Sequence, residues 1–169
     1  LKLAGGTPRL EGGFTLARPV GIGARGAQVT QPWRVTGKLK AGAQSALLQN
    51  VEFQYGSEDK GLKLTGVADF KFGKNPRFDG VLSSRQVDLD RALAGSDGTR
   101  PTPAAALRQL AELGGAAFRP TFPIQIGVGI DQVTLGGSTV QNLRGDISSV
   151  AGGWNLDRFE FRAPGFTQV

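Results

Sequence analysis

Cysteine, histidine and methionine are all absent from this 169-residue sequence. Without cysteine the chain has no disulfides, iron–sulfur clusters or thiolate metal sites, although cysteine usage does not identify a compartment. Without histidine it lacks the commonest general base and the commonest transition-metal ligand. We therefore expect neither enzyme activity nor a bound cofactor or metal. The missing initiator methionine, in a chain that opens at Leu1 and stops at Val169 within patterned sequence, predicts a fragment of a larger protein.

Long apolar runs are absent too. The sequence has no stretch of about 18 apolar residues and no leader of charged then apolar residues, so it contains neither a membrane span nor a secretory signal. Basic residues outnumber acidic residues by 20 to 14, which gives a net charge of +6, but no block of five or more occurs. Such scattering is typical of a solvated surface, so we expect no nucleic-acid partner. A weak attraction to anionic lipid headgroups remains compatible with it.

What the sequence does contain is strict alternation of apolar and polar residues. Between residues 122 and 131, Ile124, Ile126, Val128 and Ile130 fall on one side, which predicts a half-buried strand. Similar patterns, separated by glycine-rich turns, predict strands at 33–39, 51–55, 62–72, 78–90, 140–147 and 154–161, and a strand pair within 1–30. We therefore expect a mainly β fold, a curved antiparallel meander sheet with one apolar face.

The curvature is expected from two changes of phase. The apolar residues move from even to odd numbers at Asp131–Gln132, and again between Ser84 and Val87. Each slip indicates a bulge or a corner that bends its strand.

The middle of the chain breaks the alternation. Residues 94–103 are rich in turn formers and predict a loop. Leucines at 107, 110 and 113, with a proline before them and two glycines after, predict one short amphipathic helix at 104–113 that lies across the sheet or caps its end. We expect a single β-rich domain over 1–169, organised as a β block at 1–92, a loop plus helix at 93–121 and a β block at 122–169.

An internal similarity links the two β blocks. Residues 49–64 can be placed over residues 141–156 at a constant offset of 141 − 49 = 92, which gives five identities in sixteen positions. Gln49 and Asn50 coincide with Gln141 and Asn142. The similarity suggests a repeated strand–turn–strand module.

Three carboxylates suggest a binding site but have a simpler explanation. Asp88 and Asp90, with Asp79 nearby, are oxygen ligands of the kind that divalent cations prefer. Because Val87 and Leu89 alternate with them, we favour the solvent side of a two-sided strand.

Glycine and serine patterns also have simpler explanations. The segment Gly21-Ile-Gly-Ala-Arg-Gly26 has the spacing of a phosphate loop, but no helix follows it, so a β turn is favoured. Ser83, Ser84, Ser148 and Ser149 have no histidine or cysteine to activate them, so ordinary strand and turn serines are favoured.

The apolar face is the remaining candidate site. Its candidate residues are Leu62, Leu64, Phe70, Phe72, Ile124, Ile126, Val128 and Ile130. In a closed fold they would form a core sealed by a second layer, which alternation alone favours. In an open curved sheet they would line a groove that shields acyl chains from water. Both alternatives stay open at the level of the sequence.

The C-terminal third carries a family resemblance. Residues 130–147 (Ile-Asp-Gln-Val-Thr-Leu-Gly-Gly-Ser-Thr-Val-Gln-Asn-Leu-Arg-Gly-Asp-Ile), followed by Gly-Gly-Trp-Asn-Leu-Asp at 152–157 and Pro164-Gly165, resemble a recurring phrase of the AsmA family. Residues 78–90 (Phe-Asp-Gly-Val-Leu-Ser-Ser-Arg-Gln-Val-Asp-Leu-Asp) look like a second phrase of that family. The second phrase leads into the predicted loop and helix, and together these segments cover about 70 residues of the chain.

The resemblance implies a non-catalytic protein of the Gram-negative cell envelope. It implies a periplasmic location, with attachment to the inner membrane through an N-terminal helix outside this fragment. AsmA-like proteins are similar to bridge-type lipid transfer proteins and are implicated in outer-membrane assembly and phospholipid movement. The expected partners are therefore phospholipid or outer-membrane assembly components, and the alternative is a closed-core structural or protein-interaction scaffold.

Overall fold

The computed structural model consists almost entirely of β-strands. It describes residues 2–4, 7–18, 21–22, 28–29, 32–56, 61–94, 98–102, 104–106, 108–109, 121–150 and 153–163. The strands are β1 (Lys2–Ala4), β2 (Thr7–Arg18), β3 (Gly21–Ile22), β4 (Gln28–Val29), β5 (Trp33–Ala41), β6 (Ser45–Tyr55), β7 (Leu62–Lys71), β8 (Arg77–Asp88), β9 (Ile124–Leu135), β10 (Ser138–Val150) and β11 (Gly153–Arg162). The predictions of a mainly β chain and of strands within residues 1–30 are confirmed.

Eight of these strands form one mixed sheet that does not close into a barrel. Its order is β2-β5-β6-β7-β8-β9-β10-β11, with β1 added outside β2, while β3 and β4 pair separately. Every neighbouring pair is antiparallel except β8 and β9, which run parallel with Phe78 beside Ile124 and Leu82 beside Val128. The predicted antiparallel meander is wrong at this pair, because alternation does not specify strand direction. The parallel pair requires a crossover connection, and the loop and helical residues between β8 and β9 provide it.

A short helix, α1 (Leu89–Ala92), begins where β8 ends. The Asp88 carboxylate caps it by accepting a hydrogen bond from the Arg91 backbone N–H at 2.9 Å. The prediction that the strand continues through Asp90 is therefore wrong, because a capping aspartate offers the backbone a helical alternative to the ladder.

The predicted helix at 104–113 is present in part. Residues 104–106 and 108–109 are helical, and the other residues of that prediction lie outside the described ranges. Thr102 begins the turn, since its side-chain hydroxyl accepts from the Ala105 N–H at 3.3 Å and its carbonyl accepts from the Ala106 N–H at 2.9 Å. The predicted loop before it is irregular wherever it is described.

The two predicted phase slips lie side by side. Ser84 pairs with Ile130 and Val87 pairs with Val133, and in each strand the two residues between them are exposed. The ladder between β8 and β9 keeps its register through the slip, so neither slip is a bulge between these strands. In both strands the inward-facing residues change from even to odd numbers at the same level, so the pairing stays intact and Val87 and Val133 pack in the same cluster as Leu64 and Ile130.

True bulges occur in the two segments that share internal similarity. Asn50 and Asn142 are the only non-glycine residues with positive φ in the described chain, at 49° and 53°. Asn50 lies where β6 has two residues opposite one of β7, and Asn142 lies where β10 has two residues opposite one of β11. Asparagine tolerates this left-handed conformation better than most residues. The offset of 92 therefore superimposes two equivalent backbone irregularities in the middle strands of two three-stranded units.

Candidate functional site

One face of the sheet is apolar from edge to edge. Three rows of directly paired residues lie on it: two cross all eight strands and the third runs from β6 to β11. Every member is an apolar residue or a glycine, except Ser149. The rows are Gly12, Leu39, Leu48, Ala68, Gly80, Ile126, Ile147 and Leu156; Leu10, Ala41, Ala46, Phe70, Phe78, Ile124, Ser149 and Trp154; and Val51, Gly66, Leu82, Val128, Gly145 and Phe159. We call this surface the apolar face.

The opposite face is here called the polar face. The row of paired residues between the first two apolar rows lies on it and consists mainly of polar residues. That row crosses the same eight strands and contains Glu11, Lys40, Leu47, Asp69, Asp79, Gln125, Ser148 and Asn155. Because successive side chains of a strand point to opposite faces, this row, polar except for Leu47, lies between two apolar rows and shows a two-faced sheet.

The structure brings the predicted candidate residues together on the apolar face. Leu64, Ile124 and Ile130 are buried there. The partly buried members are Leu62, Phe70, Ile126 and Val128. Phe72 follows β7 in the next turn, where 39% of it is exposed.

A helical layer covers one end of the apolar face. Leu89, Leu93 and the fully buried Ala106 pack in one cluster with sheet residues. The buried sheet residues of this cluster are Tyr55, Leu64, Val87, Ile130 and Val133. Of the two alternatives left by the sequence, the sealed core therefore describes this end of the sheet.

Asp90 holds this layer in place. It is buried, and its two carboxylate oxygens accept hydrogen bonds from the Gly136 and Gly137 backbone N–H groups, each at 2.7 Å. Gly136 and Gly137 both have positive φ in the predicted turn between β9 and β10. The prediction that Asp90 is a solvent-side strand residue is wrong, because the turn supplies two donors that compensate for its burial. Only the fold brings these residues together.

The apolar face is more exposed toward its two edges. Leu10 and Leu16 on β2 are 47% and 59% exposed, and Leu156 and Phe159 on β11 are 58% and 45% exposed. Single exposed leucines are ordinary on protein surfaces, but these four belong to the same face. The apolar face is thus covered at one end and partly open at both edges.

The end of the sheet opposite α1 carries a cluster of aromatic rings. Phe70 stacks edge-on against Phe72 and against Phe122, with ring centroids 4.9 and 5.0 Å apart. Backbone hydrogen bonds join the turns of this end, from Phe72 N–H to the Gln44 carbonyl at 2.8 Å and from Phe78 N–H to the Pro123 carbonyl at 3.0 Å. The turn after β7 is therefore held at a defined position beside its neighbours.

The polar face contains an open depression of about 610 Å³. Carboxylates line it together with apolar residues: Asp69, Asp79, Asp146, Asp157, Leu47, Val67 and Val81. Asp79 forms an ion pair with Arg77 at 2.7 Å, and Asp146 lies 3.8 Å from Arg158. Within the described residues, no group of three or more acidic side chains is arranged to hold a metal ion.

The serines and glycines considered as candidates in the sequence make backbone contacts or form strands where they are described. The Ser149 hydroxyl donates to the Gly153 carbonyl at 2.6 Å, and the Ser83 hydroxyl contacts the Thr65 carbonyl at 3.4 Å. Gly21 and Ile22 form β3, while residues 23–27 of the glycine-rich segment lie outside the described ranges.

Tyr55 is a titratable group inside the covered end. Burial raises the pKa of the Tyr55 phenol, and the charge of Arg18 opposes that rise. A buried phenolate loses hydration, so the fold favours the neutral form.

Comparisons with protein-family models, with curated proteins and with solved structures find no match to this chain. None of the helices in the described part of the chain has the length and apolar character needed to cross a membrane.

Proposed function

We propose that this chain is a periplasmic segment of an AsmA-like envelope protein. In this proposal the full-length protein is attached to the inner membrane and takes part in outer-membrane assembly or in phospholipid transport between membranes. The segment acts without catalysis. Its apolar face shields the acyl chains of phospholipids, and the headgroups stay at the wet rim. The resemblance of residues 130–147 and 78–90 to that family supports the proposal.

The observation that carries the proposal is the continuity of the apolar face across eight strands. A sheet that only needed a core beneath α1 would not require apolar residues in all eight strands at the level of Gly80 and Ile126. Leu156 and Leu10 end two of these rows while about half exposed. Such a surface offers acyl chains an environment without water, and the burial of each methylene group contributes about 0.8 kcal/mol.

A matched pair of photo-crosslinking sites tests this proposal. Leu156 on the apolar face and Val81 on the polar face are 58% and 57% exposed, so a photoreactive amino acid is equally accessible at either position. In the full chain, purified from cells with its bound lipid, we expect crosslinks to phospholipid from position 156 and none from position 81. Equal crosslinking from both positions, or from neither, would contradict the proposal.

A charge substitution gives a second readout. Ile126→Asp places a carboxylate in the middle of the apolar face, whereas Gln125→Asp places one on the polar face of the same strand. Folded Ile126→Asp should retain less phospholipid per chain, as measured by mass spectrometry, and Gln125→Asp should retain the normal amount. An unchanged amount in folded Ile126→Asp would argue against the groove at that position.

A closed-core scaffold for protein assembly is the second candidate. The burial of Leu89, Leu93 and Ala106 against the sheet favours it, because this end has the packing of a sealed core. The same crosslinking experiment separates the two functions. A scaffold predicts that position 156 crosslinks to a protein partner and not to phospholipid.

A further inference from the structure

The turn after β7 combines an exposed aromatic ring with basic side chains. Lys71, Phe72, Lys74 and Arg77 are all exposed, and we call these four residues the cationic turn. We propose that the cationic turn binds the surface of an anionic lipid membrane. This inference rests on the charge and exposure of the turn, and not on the capture of acyl chains by the apolar face.

The charge of the cationic turn is only partly compensated. Arg77 pairs with the Asp79 carboxylate and also donates to the Gln125 side-chain carbonyl at 2.8 Å. Lys71 and Lys74 have no carboxylate within 4.0 Å among the described residues. The neighbouring turn segments at 42–44 and 121–123 contain no acidic residue at all. Two lysines therefore present net positive charge at this end of the sheet.

Two basic residues of the cationic turn also lie opposite each other on neighbouring strands, which does not stabilise the fold. Lys71 and Arg77 are direct cross-strand partners, and like charges in that position repel each other. An anionic surface beyond the turn would relieve this repulsion, because it would attract both side chains at once.

Phe72 supplies the apolar part of the contact. Its ring is 39% exposed and is supported from behind by Phe70, which in turn contacts Phe122. An aromatic ring beside lysines fits a membrane interface, where the ring enters the headgroup region and the ammonium groups meet phosphate. The backbone bond from Phe72 N–H to the Gln44 carbonyl holds the ring at the tip.

Vesicle flotation of the full chain tests this inference. We expect binding to vesicles that contain phosphatidylglycerol, weaker binding at high salt, and little binding to vesicles of phosphatidylcholine alone. Each basic residue near an anionic surface contributes about a fivefold gain in affinity. The double variant K71Q/K74Q should therefore bind about 25-fold more weakly. Phe72→Ser should also weaken binding.

The double variant K38Q/K63Q is the matched control. Lys38 and Lys63 are exposed strand residues outside the cationic turn, and their replacement changes the net charge by the same amount. This control should lose much less affinity than K71Q/K74Q, with equal urea midpoints for both proteins. An equal loss in the two variants would overturn the inference in favour of nonspecific charge attraction.

Two further outcomes are decisive. Absence of binding to phosphatidylglycerol vesicles, together with binding to polyglutamate, would overturn the inference in favour of an acidic protein partner. The acyl-chain proposal is tested separately. Ile126→Asp should reduce the amount of retained phospholipid without changing vesicle flotation, whereas K71Q/K74Q should weaken vesicle flotation without changing the amount of retained phospholipid. Failure of one proposal is thus distinguishable from failure of the other.

Discussion

The buried carboxylate of Asp90 accepts a hydrogen bond from the backbone N–H of Gly137 at 2.7 Å, and its second oxygen binds the neighbouring Gly136 at the same distance. This contact joins α1 to the turn between β9 and β10. Asp90 and this turn are separated by more than 40 residues in the sequence. It connects the residues that cover the apolar face to the sheet that they cover.

Replacement of Asp90 should loosen this cover. Asp90→Asn keeps the shape of this buried side chain but leaves only one acceptor oxygen for the two backbone donors, so we expect a loss of about 1–3 kcal/mol in the free energy of unfolding. Asp88→Asn is the matched control, because asparagine caps a helix about as well as aspartate. Urea denaturation followed by tryptophan fluorescence measures both. Equal stabilities of the two variants would show that the Asp90 contacts contribute little.

The two positive-φ asparagines give a second prediction. Replacing Asn50 or Asn142 with valine should cost about 1–2 kcal/mol, since a β-branched side chain clashes with the backbone in the left-handed region. Replacing either with glycine should leave stability unchanged or slightly increase it. The control is Asn155→Val on the exposed polar face of β11, where φ is negative. A valine at position 50 as stable as one at position 155 would rule out the left-handed bulge.

The only tyrosine of the chain predicts a pH dependence. The pKa of Tyr55 is raised by burial, so its neutral form contributes stability in full below the unfolded pKa of about 10. That contribution is lost as the pH rises through the higher pKa of the folded state. The ultraviolet absorbance of the phenolate measures the titration directly. Tyr55→Phe should remove this part of the alkaline loss of stability; an identical alkaline profile in both proteins would contradict the assignment.

Much of the candidate site was predictable from the sequence because strand geometry is regular. Ile124, Ile126, Val128 and Ile130 share a face for the simple reason that side chains alternate along a strand. The same rule predicted the phase slip after Ile130. The similarity at offset 92 also indicated two related units. The asparagine that both segments share is the residue with positive φ at each bulge, Asn50 and Asn142.

The sequence by itself determined which side chains share a face, where the turns lie and that the chain is mainly β. Only the tertiary structure decided that β8 and β9 run parallel, that Asp90 is buried and that α1 covers one end of the apolar face. The physical reason is the range of the interactions. Alternation and turn chemistry act between residues a few positions apart, whereas the Asp90 contacts and the parallel ladder join residues more than 40 positions apart and form only when the sheet assembles.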